Sequence, residues 1–310
     1  MANKNLFQIL HSNNGFIQLH EIPYSNAKDS IDNYHSKKIG DIPLNLEIRE
    51  CSNHSPYNIL YIHGVFGHCK SKKNKKFLDF MTSLGYNTFG IDLFAHGESG
   101  GEKGNFKMEE LISSVNTASD YITKNYSKDN ILVGDSLGGE VAFYSALGNP
   151  NISGLVSHCI FLNSELTMDW KVRALKNSVT YSIGKLLGLF PQPIDAAVEA
   201  KKRGLKYSYI NEIMSDKLRT RYYDMDSFRS IFTHKPDVPV ESMNIPVHII
   251  TGEKDNIIPF KHQKKAYDLL HKKGVDIDLT ILQNSGHTLV EDNMPEFASI
   301  IDNWIKNKFG

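Results

Sequence analysis

Ile131-Leu-Val-Gly-Asp-Ser-Leu-Gly-Gly139 is the stretch on which the fold of this chain turns. A run of apolar β-formers gives way to a glycine-flanked serine and then to a helix-length segment. The pattern is G-x-S-x-G in the order strand, turn, helix. The glycines belong there because the turn is sharp and a Cβ would clash. The serine is forced into a strained backbone conformation with its Oγ above the sheet, and the following helix aims its first N–H groups at the same place. An ordinary turn in which Ser136 caps the helix would carry the same letters. Partners elsewhere in the chain must therefore decide.

On either side of this stretch, short apolar runs alternate with helix-length patterns. Asn58–His63, Tyr86–Asp92, Asn130–Gly134, Leu155–Asn163, Val247–Gly252 and Asp276–Leu282 are dense in Val, Ile, Leu, Phe and Tyr, as strands buried on both faces are. Helical segments at about 72–84, 108–126, 138–148 and 261–273 separate most of them. The β-α-β-α order predicts an α/β fold with a mainly parallel, doubly wound sheet. Phe16–Ile22 and Leu44–Arg49 alternate polar and apolar residues and predict antiparallel edge strands.

From Ser164 to Met243 the rhythm stops. Trp170–Phe190 has the three-and-four spacing of an amphipathic helix, ended by Pro191 and Pro193. Shorter helical patterns follow at 195–203, 209–218 and 225–232. The expected organisation is a core of residues 1–163 and 244–310 with a helical cap insertion at 164–243. The stripe that includes Leu186, Leu187, Leu189 and Phe190 either packs on the core or lines an acyl-chain tunnel.

A serine hydroxyl needs a base. His287, in Gln283-Asn-Ser-Gly-His-Thr288, lies just past the last strand pattern. The imidazole needs an orienting carboxylate. Asp255 is the candidate in the loop after Val247–Gly252, with Glu253 its rival. The chain order Ser136, Asp255, His287 is one of the known orders for such a trio. A tetrahedral intermediate also needs oxyanion donors. The Leu137 amide is one. The second comes from His63-Gly64-Val65-Phe66-Gly67, with Val65 chosen and Phe66 the alternative. Gly134 and Gly138 support the turn, and His63 and Gly64 the loop. In Asp92-Leu-Phe-Ala-His-Gly-Glu-Ser99, the residues His96, Gly97 and Ser99 brace the rim. Lys70, Lys72, Lys73, Lys75 and Lys76 read as a solvated helix face, or as steering for an anionic substrate.

Bulk properties exclude several classes. Among 310 residues, 40% are hydrophobic and 23% charged, enough for a sizeable core. Lys plus Arg and Asp plus Glu both number 35, so no charge excess points to nucleic acid. The three cysteines have no metal-ligand spacing and predict a reducing, cytoplasmic compartment. No apolar run is long enough to span a membrane, and residues 1–16 do not read as a secretory signal. No metal or organic cofactor is expected, and the oligomeric state stays open.

Together, H-G-x-x-G at His63–Gly67, D-x-x-x-H-G-x-S at Asp92–Ser99, G-x-S-x-G-G at Gly134–Gly139, G-x-x-D-x-x-x-P at Gly252–Pro259 and S-G-H at Ser285–His287 resemble the α/β-hydrolase superfamily. Within it they are similar to the monoacylglycerol lipase, lysophospholipase and serine esterase group. That resemblance implies the fold, the Ser-Asp-His trio, a helical cap and, most commonly, ester hydrolysis. The chain departs from the group where Asp135 replaces the usual histidine before the serine, and where Val65-Phe66-Gly67-His68 replaces a small residue and a Glu-His pair. Three functions follow as expectations. The first is a serine hydrolase cleaving a medium or long acyl ester, such as a monoacylglycerol, through an acyl-enzyme on Ser136. The second is a thioesterase or acyltransferase acting on a carrier- or CoA-bound acyl group. The third is a non-catalytic small-molecule receptor on the same fold.

Overall fold

A computed structural model describes residues 8–10 (backbone only), 31–51, 55–126, 129–160, 162, 177–187, 193–202 and 204–310. In chain order the first elements are β1 Gln8–Leu10, β2 Asn33–Ile39, β3 Leu44–Glu50, β4 Tyr57–Ile62, α1 Lys72–Ser83, β5 Asn87–Ile91, α2 Met108–Asn125, β6 Asp129–Gly134, α3 Leu137–Ala146 and β7 Ile152–Ser157. An excursion follows, with α4 Ser178–Leu186, β8 Ile194–Asp195, α5 Ala196–Lys202, α6 Tyr207–Ser215, β9 Tyr222–Tyr223 and α7 Met225–Thr233. The chain then closes with β10 Val247–Gly252, α8 Phe260–Lys272, β11 Ile277–Leu282, α9 Leu289–Asp292 and α10 Met294–Phe309.

Nine strands form one sheet in the order β1-β11-β10-β7-β6-β4-β5-β3-β2. The six neighbours from β11 to β5 run parallel, and β3, β2 and β1 run antiparallel at the two edges. This is the mainly parallel, doubly wound α/β fold expected from the six apolar runs. Their lack of alternation has a direct cause. On β4, Ile59 and Tyr61 enter the core layer shared with α1 and α10, while Leu60 and Ile62 enter the layer shared with α2 and α3. Both faces of a strand so covered must be apolar, and each fully buried Ile or Leu contributes about 2 kcal/mol.

The antiparallel edge differs from the expectation. β3 is not an edge strand, because β2 covers it in full register from Asn33↔Glu50 to Ile39↔Leu44. The polar face of β3 is buried under partners rather than under water: Arg49 Nε donates to Asp79 of α1 at 2.6 Å, and Glu47 accepts from Tyr34 and Ser36 of β2. β2 itself reads Asn-Tyr-His-Ser-Lys-Lys-Ile, with no apolar period to reveal it. The expected strand Phe16–Ile22 lies outside the described residues. The expected strand Leu155–Asn163 is instead Ile152–Ser157, ended where Ser157 Oγ hydrogen-bonds back to Cys159.

Of the expected helix Trp170–Phe190, the described part is α4. Its apolar residues do not form a buried stripe: Leu186 and Leu187 are 86% and 64% exposed. Leu189 and Phe190 lie outside the described residues. Among the described residues, no helix is long and apolar enough to cross a membrane.

The hinge of the architecture is the backbone contact between the start of α3 and β4. A Cβ at Gly138 would lie 2.2 Å from the Ile62 carbonyl oxygen and 2.6 Å from that of His63. A Cβ at Gly134 would lie 2.4 Å from the Gly138 carbonyl. Neither neighbour is a side chain that could swing away. Gly138→Ala should therefore lower stability by about 3 kcal/mol, at the upper end of overpacking costs. Gly286→Ala, where nothing lies within 4 Å, should stay within about 0.5 kcal/mol of the parent. Chemical denaturation of the two variants checks this, and equal midpoints would refute it.

Candidate active site

Parallel register brings the chemistry to one edge. Ile62, Ile91, Gly134 and Ser157 are level across β5-β4-β6-β7. The next residues of the inner three strands, His63, Asp135 and His158, thus emerge side by side at the carboxyl edge. The loops after β10 and β11 are locked together: Lys254 N donates to Ser285 O at 2.8 Å, and a Cβ on Gly252 would lie 2.4 Å from Gly286 O. That lock sets Asp255 opposite His287.

Ser136 stands at the turn between β6 and α3 with φ 54° and ψ −117°. A non-glycine residue at such φ carries roughly 1–3 kcal/mol of strain. Its side chain makes no capping bond to α3. It lies instead 3.0 Å from His287 Nε2. The other ring nitrogen, Nδ1, lies 2.7 Å from Asp255 Oδ2. With Asp255 ionised, Nδ1 carries the proton and Nε2 is left to accept from the serine hydroxyl. Asp255 is itself fixed, since its Oδ1 accepts the Ile257 and Ile258 amides at 2.9 and 2.8 Å. Burial pushes the Asp255 carboxyl up, but the His287 bond, the His287 charge and the Ile258 amide outweigh it and hold it below its ordinary range. Burial also pushes His287 down, against the pull of Asp255. Glu253, the rival acid, turns away and accepts the Asn284 amide at 3.2 Å.

The His63–Gly67 loop lies against this turn. A Cβ on Gly64 would sit 3.0 Å from Asp135 O and 3.2 Å from Ser136 Cβ, so glycine allows the loop its close approach. His63 bridges two segments: Nδ1 donates to Gly64 O at 2.9 Å, and Nε2 accepts from Leu93 N at 3.2 Å. Phe66 sits at φ 67°, a left-handed conformation unusual for a bulky side chain. Its amide donates to Tyr223 Oη at 2.8 Å. Among the described residues, the amides of Val65 and Leu137 have no partner. Behind the loop, Asp92 accepts from Cys69 N and Glu98 N, Gly97 turns at φ 52° close against that carboxylate, and His96 Nδ1 donates to Phe94 O at 2.8 Å.

The parts played by four residues, Asp135, His158, Lys73 and Tyr223, escaped the sequence reading. Asp135 Oδ1 lies 2.8 Å from His158 Nδ1, and His158 Nε2 lies 3.8 Å from Asp255 Oδ2. The His158 ring packs against that of His287, centroids 4.9 Å apart. Lys73 Nζ lies 3.5 Å from Asp135 and 3.7 Å from Glu291. Burial pushes the Asp135 carboxyl up, but Lys73 and His158 hold it far below its ordinary value. Lys73 therefore does not belong to a solvated face, although Lys72, Lys75 and Lys76 remain exposed. Lys70 pairs with Glu98 at 2.7 Å. His158 was hidden inside an overlong strand; its place just past the end of a parallel strand is the signal that would have found it. Tyr223 is invisible from sequence, because its contact spans the excursion.

His158, Asp255 and His287 offer ligand atoms within 4.8 Å of one another. The direct hydrogen bond between His287 and Asp255 closes the space between those two, and His158 Nε2 stands 3.8 Å from Asp255, so the three do not form an open metal cradle.

The fold and this edge define the class, an α/β hydrolase. The family described as serine aminopeptidase, S33 (Hydrolase_4) matches residues 54–294, and the chain belongs to it. Among curated proteins, a bovine (Bos taurus) palmitoyl-protein thioesterase, ABHD10, mitochondrial, is 25% identical over 252 residues, 81% of this chain and 72% of the relative. Among solved structures, DcsB in complex with its substrate analogue superposes with a TM-score of 0.69 at 16% identity, covering 89% of this chain and 100% of that one. The monoacylglycerol lipase of Paleococcus ferrophilus gives 0.62 at 19%, covering 89% and 99%.

Two buried histidines behind the site set its acid tolerance. Burial holds His63 down at about 4 and His96 at about 3. Both folded values lie below the ordinary 6.5. The stability they contribute is complete above pH 6.5, because only the unfolded chain takes up their protons below it. It falls as the pH drops from 6.5 toward 4, by on the order of 3 kcal/mol for His63. Thermal melts should show Tm falling across that window, less steeply in His96→Asn. A parent Tm flat from pH 7 to 4.5 would contradict the assignment.

Proposed function

We propose that this chain is a serine hydrolase that cleaves a carboxylic ester of a medium or long acyl group, such as a monoacylglycerol, through an acyl-enzyme on Ser136. The observation that carries it is the hydrogen-bonded chain from Ser136 Oγ through His287 to Asp255. His287 Nε2 takes the hydroxyl proton as Oγ attacks the acyl carbon. The Leu137 and Val65 amides, both without partners, hold the oxyanion. Phe66 is the poorer second donor, since its amide is already committed to Tyr223. His287 then returns the proton to the leaving oxygen, and the same base activates the water that frees the acid. Asp135, Lys73 and His158 form a charge-balanced support beneath the turn.

Residues 164–243 serve in this reading as a cap over the carboxyl edge that selects the acyl group. A second reading, a thioesterase, is favoured by the name of the bovine relative. The chemistry on Ser136 is the same, with a thiol as the leaving group. The acyltransferase and the non-catalytic receptor have no comparable observation in their favour. The three cysteines, buried and in no disulfide among the described residues, favour a reducing, cytoplasmic location.

Fluorophosphonate should label the wild type and not Ser136→Ala. Equal labelling of both, or of neither, would sink the proposal. Matched p-nitrophenyl esters and acyl thioesters of rising chain length then separate the two substrate readings by kcat/KM. Since the pKa of His287 lies below 6.5, with the neutral ring as base, kcat/KM should hold down to that pH and fall only below it. A half-maximal point above pH 7 would show that another group is the base.

A further inference from the structure

Tyr223 belongs to the excursion but reaches the loop beside Ser136. It is fully buried, and its Oη accepts the Phe66 amide at 2.8 Å. Its ring meets the Phe66 ring edge-on at 5.2 Å and packs against His96 and Phe106 at 5.7 and 6.0 Å. The segment that carries it is pinned to the core. Asp224 N donates to Gly104 O at 3.0 Å, Phe106 N donates to Ser227 Oγ at 2.8 Å, and a Cβ on Gly104 would lie 2.0 Å from Tyr222 O. On its other side it pairs through Tyr223↔Ile194. Tyr223 is therefore a fixed post, not part of a swinging flap.

Phe66, by contrast, is in a conformation that its side chain disfavours. Without a partner, its amide would be a buried donor left unpaired, and the loop would relax toward an ordinary φ. Such a relaxation turns the peptide planes on both sides of Phe66, and the one before it carries the Val65 carbonyl. The next plane back holds the Val65 amide, the second oxyanion donor.

We propose that Tyr223 is a positioning residue for the oxyanion loop: by accepting the Phe66 amide it holds residues 64–67 in the strained form that aims the Val65 N–H at the reacting carbonyl. The inference rests on the reading of Ser136 as nucleophile. It makes the excursion a part of the catalytic geometry and not only a selector of substrate.

Tyr223→Phe keeps the ring and removes the hydroxyl, and with it the acceptor for the Phe66 amide and the contact with Thr220. On an ester that the wild type turns over, kcat should fall about tenfold, less than the hundredfold or more that follows loss of an oxyanion donor outright. KM should stay within about twofold, because ground-state binding does not use the donor. A trifluoromethyl ketone, whose adduct on the serine carries an oxyanion, should weaken by the same factor as kcat, while the product acid should bind unchanged. Phe66→Gly in the Tyr223→Phe background should recover most of the loss, since glycine adopts φ 67° without strain. A merely structural tyrosine would give neither the selective loss of the ketone nor the rescue. Wild-type kcat in Tyr223→Phe, or a double variant no better than the single, overturns the proposal. Hydrogen exchange at the Phe66 amide gives a readout without turnover: it should quicken at least tenfold in Tyr223→Phe, and unchanged exchange likewise overturns it. If the wild type fails to take up fluorophosphonate, it is the reading of Ser136 that falls, and the exchange result still judges the tie between Tyr223 and Phe66.

Discussion

Everything at the carboxyl edge depends on one close contact of backbone with backbone. At Gly138, helix α3 approaches the end of β4 so nearly that no Cβ fits between them. This contact draws the β6–α3 turn tight, and the tight turn holds Ser136 at a positive φ with its hydroxyl clear of the helix. It also brings the loop after β4 alongside the serine, where Gly64 permits the approach. A looser turn would relieve the strain on Ser136 and, by the same movement, separate its hydroxyl from His287 and its backbone from the 64–67 loop. Strain of this kind persists only where surrounding structure over-determines it. Here α3, buried along all ten residues, and the paired β4 and β6 supply that constraint.

Charge is the second constraint. The position before the serine holds a buried carboxylate, a poor neighbour for a site that in the proposed reaction stabilises an oxyanion. Lys73 and His158 offset it, and Glu291 beside Lys73 extends the cluster to the helix that follows His287. His158 also stands between Asp135 and Asp255, so the support of the turn and the orientation of the base share a group. A histidine at position 135 would need none of this. The aspartate and its two partners are best understood as one unit.

How far the sequence could be read follows the range of the interactions. The six parallel strands were legible because burial on both faces imposes consecutive apolar residues, as at Ile59–Ile62 of β4 and Ile131–Val133 of β6. The serine, the histidine and Asp255 were legible because each directly follows such a strand, and the geometry of the edge does the rest. β2 was not, since among its residues only Ile39 is buried and the rest carry no apolar period. The burial of Lys73, the bond of Asp135 to His158 and the reach of Tyr223 to Phe66 all join residues far apart in sequence. No periodicity records them. The same limit explains Leu186 and Leu187, whose spacing predicts a buried face while both are mostly exposed.

The path of the excursion has a consequence for how this architecture diversifies. The chain leaves the sheet at the end of β7 and re-enters at β10, which is the very next strand. Because the two strands run parallel, the chain leaves at the carboxyl end of β7 and returns to the amino end of β10, and the ladder, with Val247 level with Leu155 and Ile249 with Ser157, fixes that separation independently of what is inserted. Closure entropy grows only with the logarithm of loop length, about 0.6 kcal/mol for each doubling. Segments of different size and shape can be exchanged at this point without disturbing the register of any strand, and a single scaffold can carry many pockets over the same edge.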